Sequence, residues 1–245
     1  MYRNLKITVV IPCLNEEEGI QKVLTRMPDF VDEVIVVDNC STDRTASIAA
    51  GMGAKVIREN VRGYGRAYKT GLLHARGDIV VTLDGDHSYP VDALSYLLEA
   101  LINSGVGFVS ASRFPVQNPE AMSLRNLIGN KLLSLAMSVL YLHWIRDSQS
   151  GMWIFYKNAL ARMDLRSDGM AFSEEIKIEA LCNPEIGFKE IPINFTNRAG
   201  EMKLRPWRDG WGNLVFLFTR RVRLRSVSKS QVRAQGVSGQ NPAKG

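Results

Sequence analysis

Short apolar runs alternate with amphipathic helical patterns over the first hundred residues. The runs read as strands at 6–12, 33–38, 54–59, 78–84 and 106–112. Helical patterns lie between them at 16–27, 41–53 and 63–77. Strands that alternate with helices and are apolar on both faces form parallel sheets covered on both sides. The pattern therefore predicts an α/β, Rossmann-like, mostly parallel sheet with helices on both faces.

Residues at the ends of the helical patterns predict where the second and third helices begin and end. Ser41 or Thr42 is the predicted N-cap of the second helix, and Gly51 or Gly53 its stop. The third helix is predicted to begin near Gly63.

The pattern changes after Arg113. A long helix is predicted at 122–145, a strand at 151–157, a helix at 173–182 and a strand at 189–195. No Gly/Ser-rich linker separates the two parts, so we predict a single domain over 1–219. Its first half covers about 1–112, and its elaborated second half covers about 113–219.

The net charge of +6 is concentrated at one end of the chain. Residues 220–245 contain seven Lys or Arg and no acid, so the rest has 24 basic against 25 acidic residues. This distribution argues against a nucleic-acid partner for the body. The tail is predicted to be largely disordered. It either is solvated without a partner or binds anionic lipid, where each basic residue contributes roughly 1 kcal/mol.

The apolar stretch at 127–145 is interrupted by polar residues. Its uninterrupted apolar runs are too short to span a bilayer. Its apolar residues cover most of the helix circumference, which favours a core helix over one lying in a membrane interface. A second apolar segment, 211–218, runs directly into Arg220 and Arg221 and favours a membrane surface. The three scattered cysteines and the lack of a signal peptide predict a protein of the reducing, cytosolic side.

Asp84 and Asp86 end the fourth predicted strand, with only Gly85 between them. Ligands of open α/β sheets bind at the carboxyl ends of strands. Two carboxylates so close repel each other unless a positive charge offsets them, either a divalent cation or a pair of basic side chains. Mg²⁺ and Mn²⁺ prefer such oxygen ligands beside phosphates. The alternative is an Asp-Gly turn without a ligand.

Other strand ends are also polar, and because parallel strands end at one edge, these side chains are predicted to gather there. They are Asn15, Glu16, Glu17, Asp38, Asn39 and Asp43. Asp38 is a candidate partner of a base or ribose, as carboxylates at this point are in dinucleotide sites. Its alternative role is to cap the next helix.

A basic helical face is predicted from Arg62, Arg66 and Lys69, which are spaced i, i+4 and i+7. It either contacts a diphosphate or is solvated. The glycines at 63 and 65 complete neither the G-x-G-x-x-G nor the P-loop pattern, which excludes those two phosphate-binding motifs.

A set of motifs in fixed order resembles a known family. "VVIPCLNEEEGI", "VIVVDNCSTDRT", "GYGRAYKTGLLHARGDIVVTLDGDHSYP", "SRF", "RDSQSGMWIF" and "NRAGEMKL" are similar to motifs of family 2 glycosyltransferases with the GT-A fold. The resemblance covers roughly Ile7 to Leu204 and is greatest to dolichyl- or polyprenyl-phosphate mannose or glucose synthases. Ser88 stands where many relatives have Gln, and Met202 stands where they commonly have Ser.

The resemblance implies roles for particular residues. Asp84 and Asp86 would bind the metal, and Asp147 would be a catalytic acidic residue on the acceptor side. The nucleotide-sugar site would use Pro12, Asn15, Glu16, Asp38, Arg66, Lys69 and Asp84. The acceptor and diphosphate site would use Arg113, Arg125, Arg198 and Lys203.

The resemblance also implies a reaction: metal-dependent, inverting transfer of a hexose from a GDP- or UDP-sugar to a polyprenyl or dolichyl phosphate. The protein would lie peripherally on the cytoplasmic face of a membrane. The alternative is a family 2 enzyme with a soluble or polysaccharide acceptor. A nucleotidyltransferase would need a basic N-terminal loop, whereas "PCLNEEEG" is acidic, and a binding subunit without activity would not need all the carboxylates.

Overall fold

The computed structural model describes residues 1–200 and 210–224. These residues form a seven-stranded sheet with strand order β3-β2-β1-β4-β6-β5-β7. The strands are β1 (Ile7–Cys13), β2 (Glu33–Asp38), β3 (Lys55–Arg58), β4 (Ile79–Thr82), β5 (Phe108–Ser112), β6 (Trp153–Tyr156) and β7 (Phe188–Pro192). Every pairing is parallel except the two made by β6. The predicted α/β class and mostly parallel sheet are confirmed.

Helices cover both faces of the sheet, as predicted. They are α1 (Glu17–Thr25), α2 (Thr45–Gly51), α3 (Tyr64–His74), α4 (Leu94–Ser104), α5 (Leu124–Tyr141), α6 (Phe172–Cys182) and α7 (210–224). One core cluster joins α1, α2 and α4 to the sheet, and a second joins α3 and α6 to its other face. A third, smaller cluster packs α5 and α7 against α6.

Strand β6 lies antiparallel between β4 and β5, with Val80 opposite Phe155 and Val109 opposite Ile154. Because β6 runs against its neighbours, its first residue lies at the edge where β4 ends. The segment before it, 147–152, therefore enters the same edge as Asp84 and Asp86. The apolar pattern predicted strand β6 but carries no information about its direction or its place in the sheet.

The predicted start of α2 is wrong. The helix begins at Thr45 after an Arg44 N-cap that makes no side-chain cap bond. Ser41 and Thr42 instead contact Asn15: the Asn15 N–H donates to Ser41 Oγ at 3.0 Å, and the Thr42 N–H donates to Asn15 Oδ1 at 2.7 Å. These residues join two strand-end loops.

Helix α5 is amphipathic in an unusual sense, because its buried line is partly polar and its exposed stripe is apolar. Its buried residues are Asn130, Ser134, Met137 and Tyr141. Its exposed stripe, 52% to 71% accessible, consists of Leu124, Ile128, Leu132, Leu135 and Val139. The core-helix interpretation is therefore confirmed for Met137 and Tyr141, which belong to a core cluster, and wrong for the five residues of the exposed stripe.

Helix α7 shows the same division. Its inward face includes Asn213, Leu217 and Arg220, and the Tyr141 hydroxyl of α5 donates to the Leu217 carbonyl at 3.1 Å. Its exposed apolar stripe consists of Trp211, Val215, Phe218 and Val222. No helix within the described ranges is long and apolar enough to cross a membrane.

The predicted disordered tail is corrected at its start. Residues 220–224 belong to α7, and buried Arg220 pairs with Glu179 and, at 3.5 Å, with Asp164. These two carboxylates hold Arg220, which the charge pattern had placed in the tail. The remainder, 225–245, lies outside the described residues.

Candidate active site

The carboxyl ends of β1, β2 and β4 meet at one edge of the sheet. Cys13 is in register with Asp38, and β4 pairs with the other side of β1. Because polar residues follow each of these strands, the edge carries a concentration of carboxylates. This placement agrees with the gathering of strand ends predicted from the pattern.

Asp84 is half-buried, two residues after the end of β4. Its Oδ1 accepts hydrogen bonds from the Tyr68 hydroxyl at 3.1 Å and the Tyr64 hydroxyl at 3.4 Å. Burial and the charge of Asp86 raise the pKa of Asp84 to about 7. The two carboxylates thus repel each other in a poorly solvated place, and a cation would relieve that repulsion.

The loop around Asp86 is held close to α1. Asp86 Oδ1 accepts hydrogen bonds from the Ser88 hydroxyl at 2.6 Å and the Ser88 N–H at 3.0 Å. A Cβ at Gly85 would lie 2.5 Å from Cys13 Sγ, and one at Gly19 would lie 2.3 Å from the Gly85 carbonyl oxygen. Glycine at position 19 therefore allows α1 to approach the carboxylate loop, and glycine at position 85 allows the end of β1 to do so. Ser88 serves here as a donor that orients Asp86.

Arg198 bridges two acidic residues of this edge. Its Nη2 lies 3.3 Å from Glu16 Oε1 and 3.5 Å from Asp86 Oδ2. The loop that carries it is tied to the Asp86 loop by the Ala199 N–H, which donates to the Asp86 carbonyl at 2.7 Å. Arg198 is thus brought beside the carboxylate pair, and its binding of a phosphate there stays a prediction.

Arg113 and Asp147 form a bidentate ion pair in the second half of the domain. Arg113 Nε and Nη2 each lie 2.8 Å from a different oxygen of Asp147, and Asn130 Nδ2 donates to Asp147 Oδ1 at 2.9 Å. Asp147 has no accessible surface. Although burial alone would raise its pKa, the Arg113 guanidinium holds the pKa of Asp147 well below its usual range. Asp147 is therefore ionised at neutral pH and orients Arg113, and its burial removes it from contact with solvent.

The residues expected around the nucleotide are mostly at this edge. Asn15 adopts a left-handed conformation (φ 53°) and joins two loops through its amide oxygen. Asp38 is buried and accepts from the Ser41 N–H at 3.0 Å, which makes a turn and not a cap of α2. Pro12 lies within β1, one residue before its end.

Arg66 and Lys69 are not brought into contact with the carboxylate pair. Arg66 Nε lies 3.2 Å from Glu59 Oε1, and Lys69 Nζ lies 2.6 Å from Asp168 Oδ1. The face of α3 that contacts Asp84 carries Tyr64 and Tyr68 instead. Nucleotide binding by the two basic residues stays a prediction.

Arg125 is exposed in the first turn of α5, and its role in acceptor binding also stays a prediction. Lys203 lies outside the described residues, as does Met202.

The sequence pattern did not predict several residues of this edge. The hydroxyls of Tyr64 and Tyr68 contact Asp84, and a Cβ at Gly151 would lie 3.1 Å from both oxygens of Asp84. Helical spacing of Tyr64 and Tyr68 in α3 gave one signal, since i and i+4 residues share a face. Nothing in the pattern linked Gly151 or the buried Lys177 to this edge.

A hard divalent cation fits the donor set that Asp84 and Asp86 offer. Both side chains supply carboxylate oxygens at the end of one buried strand, and Mg²⁺ and Mn²⁺ prefer oxygen ligands. In the part of the chain that the structure describes, no group of three or more His, Cys, Asp or Glu is arranged to hold an ion. The remaining ligands would then be phosphate oxygens and water.

Comparison with curated proteins gives relatives that match most of this chain. The low-salt glycan biosynthesis hexosyltransferase Agl6 of Haloferax volcanii is 34% identical over 218 residues, which is 86% of this chain but 52% of Agl6. This chain thus spans about half of that relative. A dolichyl-phosphate hexose transferase of the same organism is 34% identical over 207 residues, covering 83% of this chain and 89% of the relative.

Solved structures share the fold. Glucosyl-3-phosphoglycerate synthase from Mycobacterium tuberculosis, crystallised with Mn²⁺, UDP and phosphoglyceric acid, superposes with a TM-score of 0.71 at 22% identity, covering 89% of this chain and 78% of that one. Mannosyl-3-phosphoglycerate synthase from Rubrobacter xylanophilus gives a TM-score of 0.71 at 22% identity, covering 98% of this chain and 78% of that one. These are GT-A glycosyltransferases, so the expected fold is confirmed.

The family itself is shown by sequence. The profile described as glycosyl transferase family 2 matches residues 8–163, the region that contains β1 to β6 and both Asp84 and Asp86. Together with hexosyltransferase relatives along most of its length, this match makes the chain a glycosyltransferase, as the motifs predicted. The protein belongs to glycosyltransferase family 2.

Proposed function

We propose that this protein transfers a hexose from a nucleoside diphosphate sugar to a polyprenyl or dolichyl phosphate, with inversion at the anomeric carbon. The observation that carries the proposal is the double character of α5. Its buried Asn130 donates to Asp147, the partner of Arg113, while its opposite stripe exposes five large apolar residues. One helix thus joins an anion-binding arginine to an apolar surface, which is what an acceptor with a phosphate head and a lipid chain requires.

The donor would bind at the carboxyl edge of β1, β2 and β4. Asp38 and Asn15 would contact the base or ribose, and Arg198 would bind the diphosphate beside Asp86. Asp84 and Asp86 would hold Mg²⁺ or Mn²⁺, which supplies Lewis-acid neutralisation of the charge on the leaving diphosphate. The relative with UDP and Mn²⁺ in its crystals supports a donor of this class.

The acceptor phosphate would bind at Arg113. The Asp147 pair fixes the guanidinium, and a guanidinium binds phosphate oxygens in planar, bidentate geometry. A phosphate oxygen forms the new bond to the anomeric carbon while the bond from that carbon to the donor diphosphate breaks, and the nucleoside diphosphate leaves. Because a phosphate monoester is already anionic at neutral pH, no proton has to be removed. Asp147 would therefore orient the acceptor site and not act as a base.

The lipid chain would stay in a bilayer that the exposed stripes of α5 and α7 contact. Apolar stripes of this kind bind membrane interfaces when their residues enter the headgroup region. The dolichyl-phosphate hexose transferase of Haloferax volcanii supports a lipid phosphate acceptor. We place the protein peripherally on the cytoplasmic face, where nucleotide sugars are made; nucleic acid has no role in this proposal.

Transfer of radiolabelled sugar tests the reaction. We expect the purified protein with Mg²⁺ or Mn²⁺ to move label from one member of a panel of GDP- and UDP-hexoses into polyprenyl phosphate, measured after organic extraction. The same reaction without polyprenyl phosphate is the control. Label that enters only water-soluble products would contradict the lipid acceptor and favour a soluble or polysaccharide one.

Charge on the α5 stripe should weaken membrane binding. We expect Leu132→Glu with Leu135→Glu to weaken co-sedimentation with vesicles of phosphatidylcholine and phosphatidylglycerol by at least about tenfold, since burial of each leucine contributes about 1.5–3 kcal/mol. Leu73→Glu is the matched control, because Leu73 is 82% exposed on α3. Equal loss of binding in both variants would show a general effect of charge. It would contradict the proposal that α5 contacts the membrane.

A further inference from the structure

A single buried ammonium holds the loop that carries Asp147. Lys177 lies on α6 with no accessible surface. Its Nζ donates to three main-chain carbonyls, those of Asp147 at 3.0 Å, Ser148 at 2.8 Å and Ser150 at 2.9 Å. An ammonium has three donors, so all of them are used on this one loop.

The loop held by Lys177 connects both halves of the site. At one end, the Asp147 carboxylate fixes Arg113. At the other end, Gly151 lies against Asp84, and its carbonyl accepts from Tyr68 at 3.2 Å and Thr82 at 2.9 Å. A shift of the loop would therefore move Arg113 relative to the carboxylate that faces the donor.

Packing alone does not account for a lysine at this position. Burial of an ammonium costs several kcal/mol even after relaxation, and an apolar side chain of similar length would fill the space without that cost. The three carbonyls, however, point to one place, and an apolar residue would take a donor from each of them. The Ser150 carbonyl would keep Trp153 Nε1 at 2.8 Å and the Ser148 carbonyl would keep Ser173 Oγ at 3.4 Å, whereas the buried Asp147 carbonyl would lose the donor that it has in Lys177. The cation thus stabilises one particular conformation of 147–151.

We propose that Lys177 is a positioning residue for the acceptor phosphate, acting through the 147–151 loop and the Asp147–Arg113 pair. This inference rests on the proposed function, since it takes Arg113 as the phosphate-binding group. Lys177 itself does not contact either substrate.

The protonation of Lys177 gives this role a signature. Burial lowers the pKa of Lys177 to about 8. The groups that face it come from every element packed against it. They are the ring of Trp153 on β6 at 5.9 Å, Asp147 of the loop, Arg113 just after β5, Glu174 on α6 and Glu190 on β7. Above pH 8 the neutral amine keeps only two N–H donors, so the loop loses a hydrogen bond and the positive charge that polarises it.

Loss of the proton can be told apart from unfolding. A folded pKa below the unfolded value means that the unfolded chain binds more protons between about pH 8 and 10.5. The contribution of Lys177 to stability therefore rises with pH in this window. A weaker acceptor interaction there would come from the site and not from this group destabilising the fold.

Steady-state kinetics of transfer to polyprenyl phosphate test the inference. We expect Lys177→Met to raise the acceptor KM at least tenfold while the donor KM stays within twofold, and Lys177→Arg, which keeps the charge, to lie between it and the wild type. Lys157→Met, at an exposed lysine just after β6, is the matched control and should keep both constants. An unchanged acceptor KM, or equal rises in both KM values, would overturn the positioning role.

A pH series keeps the test decisive if Lys177→Met does not fold. The acceptor KM of the wild type should rise between pH 7.5 and 9.5, whereas that of Lys177→Arg should stay flat, because arginine keeps its proton. If the acceptor KM of the wild type and of Lys177→Arg changed with pH in the same way, the role of Lys177 would be overturned and the proposed function would stand. A wild type that transfers no sugar to the lipid would overturn the proposed function, and with it the role given to Lys177.

Discussion

Asp84→Asn should lower kcat at least about a hundredfold, since metal stabilisation of a leaving group contributes several kcal/mol and each 1.4 kcal/mol is about tenfold in rate. The substitution keeps the shape of the side chain and removes one of the two carboxylate charges after β4. The same size of effect is expected for Asp86→Asn. Initial rates over a range of Mn²⁺ concentrations would measure both the rate and the metal affinity.

The fold should survive this change, which separates catalysis from stability. Burial and repulsion from Asp86 raise the pKa of Asp84, so removing one charge relieves an unfavourable interaction. The melting temperature should therefore stay the same or rise. Asp92→Asn is the matched control. The Asp92 side chain is 71% exposed, and its ion pair with Arg26 is long at 3.7 Å. Turnover of Asp84→Asn equal to that of this control would remove the metal site from the mechanism.

Asp147→Asn should destabilise the protein by about 3–5 kcal/mol, because it leaves a buried guanidinium without its counter-charge. The Arg113 side chain is only 13% exposed, and both of its hydrogen bonds from Nε and Nη2 go to Asp147. Urea unfolding at pH 7 would measure the change. The double variant Arg113→Met with Asp147→Asn should recover part of the loss, since it removes both charges.

The pH dependence of stability gives the same pair a second signature. The folded pKa of Asp147 lies below its unfolded value, so its stabilisation is complete above the unfolded pKa of about 4 and is lost as pH falls through the folded pKa. The stability gap between the wild type and Asp147→Asn should therefore narrow in acid. A gap that is below about 1 kcal/mol at pH 7, or that stays constant down to pH 3, would contradict a buried ion pair.

Local signals predicted what lies close together along the chain. Apolar runs gave the strands, and the helical spacing between them gave covered faces, because both depend on neighbouring residues. The carboxylates Asp84 and Asp86 could be placed at a sheet edge for the same reason: parallel strands all end there. The pattern did not predict the start of α2. There Asp43 accepts hydrogen bonds from the Thr45 N–H at 3.0 Å and from the Thr45 hydroxyl, as the expected cap would have done.

Contacts between distant segments could not be predicted in this way. The Arg113–Asp147 pair spans 34 positions, and Lys177 reaches back 27 to 30 positions to its three carbonyls. Such pairings depend on the direction of β6 and on how α6 docks, neither of which is written in hydrophobic spacing. The exposed stripe of α5 was misread for a related reason: an apolar face shows where a helix avoids water but not whether protein or lipid covers it.

The position of β6 also bears on how the chain is made. Synthesis from the N-terminus completes β1 to β4 and leaves the outer side of β4 without its neighbour until 153–156 has been added. An unpaired edge on a strand that is wholly buried in the complete fold is a template for aggregation, and larger α/β chains expose such edges while folding. Nascent chains that stop before β6 should therefore depend on chaperones, and Asp84 and Asp86 acquire their final surroundings only when the later half of the chain has closed the sheet.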